Sequence, residues 1–152
     1  MGETMQSETV LGRESGGRVD PRAHPNAVKF FRGVLARVTQ RTVRTNVETF
    51  EGRCRAWWTE ELAYGEPIIS YDGVIFPYVS RRSEHRVRCR DSEGDQAAEP
   101  LPVLEGQVTC NYRIDDEGRV VIWYLADTLQ HFSEVHGARQ LVDLLRRGIS
   151  IR

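Results

Sequence analysis

The sequence predicts an α+β fold in which N-terminal helices pack on a mainly antiparallel sheet, and four stretches predict it. Val28, Phe31, Leu35 and Val38 recur at helical spacing, and Phe50, Cys54, Trp57, Trp58 and Leu62 form a second stripe of the same kind. Residues 108–114 and 119–127, rich in β-branched and aromatic side chains, flank Asp115-Asp116-Glu117-Gly118, which makes an antiparallel hairpin with a four-residue loop. Leu141, Val142, Leu144 and Leu145 then give a short helix over 138–147.

Taken in order, residues 1–25 are polar, contain glycine and are broken by Pro21 and Pro25, too poor in apolar surface to offset the entropy of ordering; they read as a disordered tail. Residues 26–152 read as one domain, within the length a single core serves. Asn26 is placed to cap the first helix, which ends before the threonine-rich stretch at 39–45, and Asn46 or Thr49 to open the second. Ile68 to Tyr71 reads as a short strand closed by Asp72-Gly73. Pro77 demotes the apolar run at 74–79 to an edge strand or an irregular segment. Residues 83–90 alternate, His85, Val87 and Cys89 on one face and Arg86, Arg88 and Arg90 on the other, as in a half-buried strand. Residues 92–102 form an exposed acidic loop, and Thr128 is placed to cap a helix over 129–136.

The 21 basic and 22 acidic residues leave a net charge of −1, which gives no long-range field to gather nucleic acid or an anionic membrane. No run approaches the ~20 apolar residues of a membrane span. The N-terminus has no secretory pattern, so a cytoplasmic protein is expected. Cys54, Cys89 and Cys110 show neither a CxxC spacing nor an even count, so neither a metal site nor a disulfide framework is expected, and no cofactor motif is present.

Two helices, a short strand and a meander whose last arm reads RVVIWYLAD resemble the NTF2-like superfamily, in particular SnoaL-like proteins. Gly118, Arg119, Val120 and Trp123 match that family's penultimate pattern, and residues 50–64, FEGRCRAWWTEELAY, resemble its second helix running into its first strand. The resemblance implies helices on a curved sheet forming a cone with an internal pocket, a small apolar ligand and a homodimer. In the family pattern the aspartate falls five residues after the tryptophan, whereas Asp127 is four after Trp123. In a strand that difference reverses the side chain unless a bulge intervenes. A START-like helix-grip fold is the competing resemblance, and Gly137 within its long helix weighs against it.

Parity nominates the pocket lining. Asp127, Tyr112 and His85 are the acid–base candidates: base, hydrogen-bond donor to an oxyanion and proton relay. Trp123, Trp58, Cys89, Cys110 and Tyr64 are the candidate substrate contacts. The expected function is a cofactor-free isomerase, cyclase, dehydratase or hydrolase acting on a small apolar molecule. The alternative is a non-catalytic binding or dimerisation module using a sheet face with Arg86, Arg88, Asn111 and Arg113. Beside both stands a plain structural role for Asp127, as a carboxylate serving the amide groups of the next turn.

Overall fold

The computed structural model describes residues 18–49, 52–90, 94, 96–130 and 138–148. Its framework is one eight-stranded sheet with two helices, so the predicted pair of N-terminal helices on a cone is replaced by a mostly β architecture. In chain order the elements are β1 (Arg18–Val19), α1 (Pro25–Leu35), β2 (Arg41–Thr49), β3 (Cys54–Tyr64), β4 (Ile68–Ile69), β5 (Gly73–Cys89), β6 (Gln96–Ala97), β7 (Leu104–Ile114), β8 (Val120–Asp127) and α2 (Arg139–Arg146). Strand β5 is the spine. Along one edge it pairs with β4 and then β3, along the other with β7 and β6, while β2 extends the sheet beyond β3 and β8 beyond β7.

The expected second helix is β3, and the reason lies in its spacing. Cys54, Trp58 and Leu62 are four residues apart, which is two strand periods and also close to one helical turn, so they share a side in either conformation. Ala56, Glu60 and Tyr64 decide between the two. They fall on the same inner face as the first set, with a burial pattern that alternates along most of the strand. The threonine-rich stretch before it is β2, paired with β3 and interrupted by a bulge between Thr45 and Glu48. Phe50, the first residue of the expected helical stripe, lies outside the described residues, as does most of the expected helix at 129–136.

Pro77 sits inside the spine rather than at an edge. Its carbonyl accepts from Gly65 N at 2.9 Å, so its nitrogen faces the junction between β3 and β4, where the ladder is already interrupted. The missing N–H therefore removes no ladder hydrogen bond. Farther along, Glu84 has φ of 55° at a bulge between the Trp57 and Thr59 pairings, and that extra residue moves the inward set from Tyr78, Ser80 and Arg82 to His85, Val87 and Cys89.

The first helix agrees with its prediction, although His24 and not Asn26 caps it. His24 Nδ1 accepts from Asn26 N at 3.0 Å, Pro25 occupies the first turn, and the Asn26 side chain instead donates to Gly118 O at 2.8 Å on the hairpin tip. Within the expected tail, Arg18 and Val19 pair in parallel with Ile68 and Ile69. The main core lies between the helices and the sheet: Phe31 and Val34 from α1 and Leu141 and Leu145 from α2 meet Val74, Phe76, Val108, Cys110 and Tyr112. Phe31 packs edge-on against Tyr112 and Phe76, at centroid separations of 5.1 and 6.1 Å.

Candidate functional site

The β7–β8 hairpin forms as the sequence predicts, with Gly118 at φ 81° and Asp115 accepting from the backbone N–H groups of Glu117 and Arg119. The backbone amide of Arg119, then that of Glu117 and the Arg119 side chain, hold the half-buried Asp115 carboxyl below the usual carboxylate range. On β8 the register slips between the Asn111 and Tyr112 pairings, which leaves Trp123 as the extra residue of a bulge. Trp123 is consequently 64% exposed and lines an open pocket of about 290 Å³ with Ile122, Leu145 and Arg146, away from the other nominated residues. The same bulge restores Asp127 to the inner face, opposite Val108 and 5% exposed.

Asp127 is fully engaged there. Oδ1 accepts from Tyr78 Oη at 2.5 Å and from Leu129 N at 3.0 Å, and Oδ2 accepts from Ala138 N at 3.1 Å. One carboxylate thus closes the turn after β8 and anchors the start of α2, whose N-cap Ala138 offers no side-chain acceptor of its own. Tyr78 reaches it across Gly106, where an added Cβ would lie 2.7 Å from Leu129 and 2.8 Å from the Tyr78 ring. Burial, reinforced by the hydrogen bond to Asp127 and by its charge, pushes the Tyr78 phenol far up and keeps it protonated as a donor.

The three acid–base candidates do not meet. Tyr112 lies about 13 Å along β7 from the residue opposite Asp127, at the rise of an extended strand, and its hydroxyl donates to Ser70 O at 2.5 Å within the core. His85 lies about 20 Å along β5 from Tyr78, with Nδ1 2.8 Å from Glu99 O. Cys110 is a sealed core residue, its thiol pushed up to about 12 by burial.

The other candidates belong to a second cluster on the inner face, where β2, β3 and the C-terminal half of β5 run side by side. Trp58 is 2% exposed, faces Arg44 across β2 and packs edge-on against His85 at 6.0 Å. Glu60 is completely enclosed, accepts from Ser80 Oγ at 2.6 Å and stands opposite Arg82 in the register. Arg82 donates to Pro102 O at 2.6 Å, and on the opposite face Thr59 donates to Glu84 at 2.7 Å. Tyr64 borders this group, with its ring 5.8 Å from that of Tyr78; burial and then the charges of Asp127 and Glu60 push its phenol up.

Cys54 and Cys89 close the far end of the cluster with a disulfide between directly opposed residues, Cα atoms 4.0 Å apart, contrary to the expectation of no disulfide. A cross-strand pair 35 residues apart has no local spacing signature, so only the register reveals it. Glu60 and Arg82 carry no such signal in the sequence either. Treating residues 50–64 as a helix turned Glu60 outward, and Arg82 lies just before the stretch whose alternation was legible.

No protein-family model, curated protein or solved structure matches this chain. Among the described residues, no helix is long and apolar enough to cross a membrane, and no group of three or more His, Cys, Asp or Glu gathers as metal ligands.

Proposed function

We propose that the chain binds a small, mainly apolar molecule bearing a hydrogen-bond acceptor, held on the inner face of β2, β3 and β5 beside Trp58, Glu60 and Arg82. One observation carries this reading: the Trp58 indole N–H is buried and has no acceptor among the described residues. A buried donor left unpaired costs about 1–3 kcal/mol, which a ligand oxygen would recover. Enclosed polar groups beside apolar walls are the composition of a small-molecule site, and Ala56, Val87 and Tyr64 supply apolar surface here. From the SnoaL-like resemblance the reading keeps only the small ligand. Asp127 is assigned to stability, because its oxygens are taken by three donors that hold the fold together.

Solvent extraction and mass spectrometry of the purified protein test the proposal. The wild type is expected to release one low-mass species, and its removal to move the Trp58 indole N–H resonance. Trp58→Phe and Glu60→Gln are expected to lose the species while keeping the circular dichroism of the wild type. A wild type that carries nothing, with a Trp58 resonance indifferent to extraction, rejects the site.

A cytoplasmic home and a permanent Cys54–Cys89 bond pull in opposite directions, because cytosolic thiols are kept reduced. Thiol alkylation in intact cells, followed by denaturation and mass spectrometry, decides between them: the bonded pair stays unlabelled, whereas a cytosolic pair gives two alkylated cysteines.

A further inference from the structure

The face of the sheet turned away from the helices carries an apolar band among its polar residues. Ile75, Pro77 and Val79 on β5 form this half-buried band, and Ala126 on β8 lies level with Ile75 across Thr109. A trough of about 540 Å³ opens on one side of the band, lined by Ala63, Gly65, Pro77, Gln107 and Thr128 among others. On the other side stands Tyr124, 50% exposed.

Along β7 this face reads Glu105, Gln107, Thr109, Asn111, Arg113. The series is symmetric in kind and opposite in charge about Thr109: an acid and a base at the ends, an amide inside each, and a threonine at the centre. Ile75 and Ala126 are the register partners of Thr109, so the same centre serves β5 and β8.

We propose that this face packs against a second copy of the chain, with the two β7 strands antiparallel and a two-fold axis crossing them at Thr109. Residues equally distant from the centre then oppose each other across the interface. Glu105 faces the second copy's arginine at position 113, Gln107 faces Asn111, and both amide and ion pairs occur twice. Ile75 meets its own equivalent at the axis. On β8, Tyr124 faces Thr128, so each exposed tyrosine enters the other copy's trough. Sheets stack about 10 Å apart, a gap that long side chains span. Paired opposite charges fix the register of an isologous interface, whereas the parallel arrangement sets Glu105 against Glu105.

Sedimentation equilibrium of the full chain at tens of micromolar tests this. The wild type is expected to be a dimer. Glu105→Arg and Arg113→Glu each place like charges together twice and are expected to weaken the dimer about tenfold or more. The double variant Glu105→Arg with Arg113→Glu is expected to return to near wild-type affinity, and Tyr124→Ala to weaken association with no rescue by the charge swap. A wild type that stays monomeric, a dimer indifferent to the single variants, or a double variant that fails to recover overturns the proposal.

Discussion

The two halves of β5 lie in different surroundings. From Gly73 to Tyr78 the inner side chains Val74 and Phe76 are sealed beneath α1 and α2, and a polar contact at the border, Tyr78 with Asp127, ties strand to helix. From Ser80 to Cys89 the inner side chains are Ser80, Arg82, His85, Val87 and Cys89, held by hydrogen bonds, a buried carboxylate and a disulfide. Apolar burial is non-directional and tolerates sliding, whereas buried polar groups fix geometry and are costly when a partner is missing. The first half is therefore built for stability and the second for specificity. That contrast is why the candidate site lies in the second.

The sharpest way to break the contrast is to remove the carboxylate that borders the two halves. Asp127→Ala leaves buried donors on Tyr78, Leu129 and Ala138, each costing about 1–3 kcal/mol when unpaired, and is expected to be the most destabilising change, read from urea denaturation. A variant of unchanged stability that had lost only ligand binding would move Asp127 from the stable half to the site.

Next in size is the disulfide. Opening a 35-residue loop is expected to cost about 3–4 kcal/mol. Hydrogen exchange should show the loss of protection concentrated in β2, β3 and the end of β5. An equal loss in α1 and α2 would mean that the halves unfold as one unit.

Gly106→Ala presses a methyl group against Tyr78 and Leu129 and is expected to cost about 1–3 kcal/mol, as overpacking does. Its effect on Asp127 should be visible as weaker hydrogen-exchange protection of Ala138 N. An unchanged melting midpoint would show that the Tyr78 ring gives way freely.

The smallest expected effect is on Cys110. Burial raises its thiol to about 12, so the folded state disfavours the thiolate. Its contribution to stability is fully present below the ordinary thiol range and is lost as pH rises above it. Alkylation at pH 9 should be slow in the native protein and fast in urea, and comparable rates would place Cys110 outside the sealed core.

Much of the chain was legible in advance. The β7–β8 hairpin, the α1 stripe, the α2 leucines and the alternation from His85 to Cys89 are local patterns in which one period dominates. The expected helix over β3 failed because a spacing of four satisfies two periods at once. With it failed the face assigned to Glu60. Pro77 marks an edge strand by its missing N–H, but the sequence does not say which side of a strand is unpaired. Simple alternation puts Trp123 and Asp127 on one face, but a bulge changes parity without a local signature, and in this strand it exposes the first and buries the second.

Turn positions, apolar stripes and the end of a strand at Asp127 are written in the local sequence, which leaves a base and an acceptor for the next turn's amides as equal roles for that carboxylate. Tertiary structure alone decided that Cys54 meets Cys89, that Glu60 lies enclosed beside Ser80 and Arg82, and that Tyr78 crosses Gly106 to reach Asp127. The reason is physical: periodicity and turn chemistry act over a few residues and are written locally, whereas strand register and bulges match residues far apart in the chain. A shift of one residue there exchanges the buried face for the exposed one.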